Sequence, residues 1–289
     1  MTGDRSDNIE RLSPNDVPAV VNALLRDGGV VVRGMLTLGA AHQVRAEIAP
    51  HVERREPGFG DDQGFYGPHT VRVQGLAAKS LAFVDTILLN PTLLAIADAV
   101  LLEHCGHYWM SQAETIYIRP GNDAQPLHRD DVNWSYAARL GINLQVSALF
   151  ALGDYDTAVG ATNVVLGSHL EPYDTPIDAM RAQPVEMEPG DALVYLGGLA
   201  HGGGANTSGD RVREALYIGL LVGWLTPEEA VVHSVPEALA RTLPARARAL
   251  LGWANLRGNV ATSGVEAATQ LWQLDRDRLD DYRGTFFHR

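Results

Sequence analysis

The chain has 289 residues, 46% hydrophobic and 20% charged, with 23 basic against 35 acidic side chains and a formal net charge of −12. A chain of this length and composition buries a large core, which excludes disorder as its main state. The acidic balance argues against a nucleic-acid partner, whose affinity would rest on basic side chains neutralising phosphates. A single cysteine, Cys105, excludes an intramolecular disulfide and a thiolate zinc cluster. Lys79 is the only lysine, so positive charge falls almost entirely to arginine, the side chain that grips carboxylates bidentately.

The polar opening, residues 1–16, contains no apolar signal core. The most apolar helical stretch, Ile87–Leu102, is broken by Asn90, Pro91 and Asp98 and is too short to span a bilayer. A cytoplasmic protein with no membrane partner is expected. In chain order, Pro14-Asn15-Asp16 opens a helical pattern through Val20, Val21, Leu24 and Leu25, closed by Gly28-Gly29. Val30–Arg33 reads as a short buried strand, and Thr37 caps a second helix through Val44, Ile48 and Val52. Residues 55–70, rich in Gly, Pro and Asp, read as a loop, and a further helix is predicted from Pro91 to Glu103.

After residue 106 the texture changes to short β-prone runs: Tyr108–Ile118, Asn143–Leu152, Asn163–Leu166, Pro184–Glu188, Asp191–Tyr195 and Ala215–Trp224. Turns rich in Gly, Pro and Asp separate them, a spacing that predicts a sandwich or barrel such as a jelly roll. Past Trp224 helical patterns return, with Pro227, Pro236 and Pro244 near helix starts. The expectation is one domain, mainly β with flanking helices. It has a helical layer over about 14–105, a β core over about 106–225 and a helical segment over about 226–289.

The chemistry concentrates in Gln125-Pro126-Leu127-His128-Arg129-Asp130-Asp131 and in a later histidine, His201. Side chains at i and i+2 of an extended segment share a face, so His128 and Asp130 can converge. Two imidazoles and one carboxylate form a facial triad with open positions, suited to non-haem Fe(II) and O2 chemistry. Asp131 would point to the opposite face. Arg211 and Arg213 follow His201 at the edge of an apolar strand, where a guanidinium can hold a remote carboxylate.

Those segments, with Gly-Ala-Thr-Asn-Val-Val-Leu-Gly-Ser-His at 160–169 and Asn206-Thr207-Ser208, resemble the phytanoyl-CoA dioxygenase family. The likeness is to its natural-product branch, which includes fungal alkaloid and meroterpenoid oxygenases. Thr70–Ser80, Val222–Thr226 and the Val235-Pro…Leu251-Gly252 region extend the resemblance from about residue 20 to about residue 260. It implies a double-stranded β-helix (a jelly-roll, cupin-like core) and an Fe(II)/2-oxoglutarate-dependent dioxygenase. It assigns His128, Asp130 and His201 to iron and Arg213 to the remote carboxylate of 2-oxoglutarate, with Arg72, Gln125 and Thr162 around the cosubstrate. One extra residue between Asn206 and Arg213 keeps Arg211 open as the clamp.

The reaction so implied consumes 2-oxoglutarate and O2 and oxidises, by default hydroxylates, a C–H bond of a hydrophobic small molecule in secondary metabolism, releasing succinate and CO2. Asp130 argues against halogenation, which in related enzymes needs a small residue there. Tyr66, His69 and Trp134 are expected to touch substrate, with Phe65, Trp109 and Tyr136 nearby. His169 is expected to be structural, and the resemblance makes a homodimer plausible. A second reading is a catalytically silent β-helix protein that keeps the metal site for sensing or binding. A third is a cupin-like metal enzyme without 2-oxoglutarate.

Overall fold

The computed structural model describes residues 8–58, 63–253, 256–257 and 270–272. Ten strands make its centre: β1 (Arg11–Leu12), β2 (Gly29–Val32), β3 (Thr70–Val71), β4 (Tyr108–Ile118), β5 (Gln145–Ala151), β6 (Thr162–Val165), β7 (Gln183–Val185), β8 (Ala192–Leu196), β9 (Ala200–Gly202) and β10 (Arg213–Val222). Seven form one sheet in the order β1-β2-β8-β5-β10-β4-β3, antiparallel except for β1 with β2. The second sheet runs β7-β6-β9, also antiparallel. The seven predicted strands are all present, Val30–Arg33 as β2, and β4 has the predicted bounds. β1, β3 and β9 are too short to have carried a periodic signal.

Alternation sorts the large sheet into two faces. On β5, Val146, Ala148 and Phe150 join the core shared with the helices. Leu149 and Ala151 face the small sheet, where they meet Val164 and Val185. β8 and β10 repeat the pattern: Val194 and Ile218 point to the helices, and Tyr195 and Tyr217 point inward. This is the double-stranded β-helix expected, with helices covering one face. On β4 a register shift opposite Gly219/Leu220 resets the alternation. Tyr108 and Met110 before it and Ala113 after it therefore all reach the helix side, while Gln112, Glu114 and Ile116 line the interior.

The covering helices start where their caps stand. Asp16 accepts from Ala19 N at 3.1 Å ahead of Val17–Asp27, and Thr37 accepts from Ala40 N at 3.1 Å ahead of Leu38–Glu53. Asn90 accepts from Thr92 N and Leu93 N ahead of Pro91–Leu101. Gly28 ends the first helix at φ 85°, a left-handed turn that glycine takes without a Cβ clash. Leu24, Ile48, Phe83 and Ile96 are fully buried beneath these helices, each contributing about 1.5–3 kcal/mol by burial.

Two expectations change, and one segment falls largely outside the described residues. The 55–70 loop contains a short helix, Gln63–Tyr66, and ends in β3. Beyond β10 the helices are single turns or little more, Val231–Ser234, Glu237–Ala240 and Ala245–Leu250, with Pro236 and Pro244 at N-caps while Pro227 lies in a turn-rich loop. The apolar stretch Ala261–Leu274 lies outside the described residues except 270–272, which pair with 256–257. Among the described residues no single helix is long and apolar enough to cross a membrane.

Candidate active site

Two short backbone bridges bring the distant ligand segments together. His128 N donates to His201 O and His201 N donates to His128 O, each at 2.9 Å, so the two imidazoles lie side by side with ring centroids 4.5 Å apart. The extended run ends at Arg129, and Asp130 opens a 3-10 turn, Asp130–Trp134. The carboxylate thus turns back toward the rings. Its Oδ1 lies 3.7 Å from His128 Nε2 and 3.5 Å from His201 Nε2, and one ligand atom from each of the three residues falls within 4.8 Å of the others.

Both rings are poised for a cation. His128 Nδ1 lies 3.0 Å from Pro126 O and His201 Nδ1 lies 3.0 Å from Leu199 O. A carbonyl only accepts, so the proton sits on Nδ1 and each Nε2 lone pair points into the cleft. Burial and the neighbouring His201 push the His128 imidazole down to about 4, so it is neutral at physiological pH. This donor set, two imidazoles and one carboxylate, fits Fe(II). Asp131 is buried elsewhere: its N–H donates to Gly197 O, and burial with Asp130 nearby pushes its carboxyl up to about 6.

The triad opens into a cleft of about 150 Å³ that is also lined by Arg213, Thr162, Gln125 and Arg72. Arg213 is 2% exposed. Its Nη1 donates to Gly160 O at 2.8 Å and Thr162 Oγ1 at 3.4 Å, its guanidinium lies 5.1 Å from the centre of the Tyr155 ring, and its Nε has no partner. Among the described residues it has no carboxylate partner within 4.0 Å. Burial lowers its pKa below the ordinary value, the signature of a cation kept without a counter-ion. A buried guanidinium left so is costly, and a carboxylate ligand relieves the cost. The residues therefore fit 2-oxoglutarate as well as the metal.

Other residues expected around the cosubstrate differ in their partners. Gln125 Oε1 accepts from Gly203 N at 3.2 Å, and Thr162 Oγ1 hydrogen-bonds Tyr155 at 2.7 Å. Arg72 lies in the cleft, its charge already matched by a buried ion pair to Glu114, with its guanidinium 4.6 Å from the centre of the Tyr66 ring. Arg211, the alternative clamp, is on the surface, where it pairs with Asp156 at 2.6 Å and Asp154 at 3.2 Å. The glycines at 202–204 let backbone come close: a Cβ on Gly202 would lie 2.9 Å from Gln125 O.

The aromatic expectations divide. Phe65 and Tyr66 line the cleft, with Phe65 edge-on to His128 at 4.9 Å. His69 is exposed outside it, and Tyr136 is 91% exposed. Trp109 and Trp134 instead hold up a loop, donating their indole N–H groups to Leu225 O at 3.1 Å and Thr226 O at 3.0 Å. That loop delivers Glu228 to the cleft wall, where it meets Asn133 at 2.9 Å and Ser111 at 3.2 Å. His169 bonds Leu25 O at 3.1 Å. Sequence reasoning missed Gln112, Glu114 and Glu228, and also Ser147, Tyr195 and Tyr217 behind Asp130. Polar residues at the inward parity of apolar strands were the available signal for Ser147, Tyr195 and Tyr217.

The sequence profile of the phytanoyl-CoA dioxygenase (PhyH) family matches residues 24–215. The chain belongs to this family. Relatives include the dioxygenase aneA of Aspergillus aculeatus, 31% identical over 91% of this chain and 89% of its own length. The dioxygenase ALT11 of Alternaria alternata is 36% identical over 78% of each chain, and trt7 of Aspergillus terreus is 30% identical over 98% of each. Among solved structures, the α-ketoglutarate-dependent epimerase SnoN from nogalamycin biosynthesis aligns with a TM-score of 0.58 at 20% identity, covering 72% of this chain and 84% of its own. HygX from Streptomyces hygroscopicus, crystallised with nickel and 2-oxoglutarate, aligns at 0.57 and 19% over 72% and 88%. These likenesses show the shared fold. With its family membership and its His-Asp-His site, the protein is a non-haem Fe(II)/2-oxoglutarate-dependent dioxygenase.

Proposed function

We propose that the enzyme oxidises, by default hydroxylates, a C–H bond of a small natural product, turning over 2-oxoglutarate and O2 to succinate and CO2. The observation that carries this reading is Arg213, a buried cation without a carboxylate partner that shares a cleft with three converging metal-ligand atoms. Bound at the triad, Fe(II) supplies the activation of O2 that the side chains themselves lack.

The chain's own residues bind, orient and shield. His128, Asp130 and His201 hold the metal, Arg213 with Thr162 anchors the remote carboxylate, and Gln125 closes the wall beside Gly203. Phe65 and Tyr66 cover the opening and exclude water. The far wall, with Gln112, Asn133 and Glu228, is polar, which supports a substrate that pairs an apolar body with at least one hydrogen-bonding group, in place of a purely hydrophobic one. The same reading puts the enzyme in the cytoplasm among the genes of a secondary pathway.

The test is a reaction under ¹⁸O2 with Fe(II), 2-oxoglutarate and metabolites from neighbouring biosynthetic genes. The expected result is a substrate that accelerates succinate release and gains one labelled oxygen. Succinate release that no small molecule accelerates would favour the silent, binding protein.

A further inference from the structure

Asp130 presents two oxygens, and the protein treats them differently. Oδ1 faces both imidazole Nε2 atoms. Oδ2 turns into the sheet, where it accepts hydrogen bonds from Tyr195 at 3.1 Å, Ser147 at 3.3 Å and Tyr217 at 3.3 Å. The three hydroxyls come from the adjacent strands β8, β5 and β10, with Ser147 in register with both Tyr195 and Gly219.

The protons are aimed from behind. Gln145, fully buried, donates its amide to Ser147 Oγ at 2.9 Å and to Tyr217 OH at 2.8 Å. An occupied lone pair on each hydroxyl oxygen frees its own proton to point at Asp130. The strand also leaves room for this network. A Cβ on Gly219 would lie 2.7 Å from Tyr217 OH and 3.0 Å from Gln145 Nε2. Buried polar side chains among apolar strands are costly unless hydrogen-bonded, and here three hydroxyls converge on one oxygen with the Gln145 amide N–H groups behind two of them.

We propose that Ser147, Tyr195 and Tyr217 are positioning residues that make Asp130 a one-oxygen ligand, saturating Oδ2 so that Oδ1 alone is offered to the metal. The proposal rests on the triad's being the metal site. Hydrogen-bond partners of ligating groups commonly govern metal affinity by ~10–100-fold, and three donors on one oxygen place this site in that range.

The experiment is an anaerobic titration with Co(II) alone, read by its visible d–d bands, on the wild type, Y195F/Y217F, S147A and the control Y117F. Tyr→Phe keeps each ring and removes only the oxygen, and Tyr117 is a buried phenol outside this network. The expected result is a ~10–100-fold weaker Co(II) dissociation constant in Y195F/Y217F, with bands shifted because the released carboxylate binds through both oxygens. S147A shows a smaller change of the same kind, and Y117F shows none. Thermal melting of each metal-free variant separates loss of fold from loss of positioning, and S147A carries the test if the double variant does not fold. Wild-type affinity and bands in the folded variants would overturn the proposal while leaving the triad intact. Failure of the wild type to bind Co(II) would overturn the metal site itself.

Discussion

The two walls of the cleft are built on different principles. The inner wall hangs on strands: the histidines are locked by reciprocal backbone bonds, Asp130 Oδ2 is held by three hydroxyls, and Arg213 is buried to 2% exposure. The outer wall hangs on loops and single turns. Phe65 and Tyr66 lie on a four-residue helix, Val132 is 53% exposed, and Glu228 arrives on a segment propped by two indoles. The difference teaches a division of labour. On the proposed reading, the residues that hold metal and cosubstrate sit where a shift of 1 Å would disturb the core, whereas those that face the substrate sit where substitution costs little stability.

If the walls differ in this way, inner-wall changes abolish chemistry and outer-wall changes tune it. The largest effect is expected from His201→Ala, which removes a ligand: Fe(II) binding and 2-oxoglutarate turnover fall below detection while the chain stays folded by circular dichroism. Glu114→Gln is next. It leaves buried Arg72 without its counter-charge and costs ~3 kcal/mol, read by denaturant unfolding. Arg213→Ala is expected to raise the KM for 2-oxoglutarate ~100-fold, the value of ~2–3 kcal/mol for a charged hydrogen-bonded contact. Arg211→Ala stays within about twofold, as an exposed ion pair should. Equal effects of the two arginine changes would break the comparison.

Glu228→Gln gives a small effect on stability and the one with a pH signature. The surrounding walls and Asp130 push the Glu228 carboxyl up to about 7, although the side chain is open to solvent in the cleft. A raised carboxyl binds a proton in the folded state at pH values where the unfolded chain has released it. Its stabilising contribution is therefore present at acid pH and lost as pH rises through about 7. The metal-free variant should melt above the wild type near pH 8 and level with it near pH 4. Solvent screening holds the gain to about 1 kcal/mol. A wild type that melts higher at alkaline pH would contradict the sign.

Much of the inner wall was legible before the structure. His128 and Asp130 share a face because the run is extended as far as Arg129, and β-prone runs bounded by Gly, Pro and Asp turns placed β4, β5 and β10. Arg211 and Arg213 have the same parity, so alternation could not separate them. What separates them is that β10 begins at Arg213, leaving Arg211 in the approach to the strand among Asp154 and Asp156. Ser147, Tyr195 and Tyr217 read as ordinary strand residues, because only the pairing of three strands places their hydroxyls at one point. The outer wall was hardly legible. Trp134 was expected to touch substrate and instead supports a carbonyl of the 224–228 loop, an arrangement set by contacts far apart in the chain. Glu228 carried no local pattern at all.

The most direct test of the central claim is anaerobic addition of Fe(II) and then 2-oxoglutarate to the protein, followed by visible absorption. A metal-to-ligand charge-transfer band that appears in the wild type, is lost in His201→Ala and requires a much higher 2-oxoglutarate concentration in Arg213→Ala is the predicted result. A wild-type protein that binds both and shows no band, or a band indifferent to His201, would contradict the account.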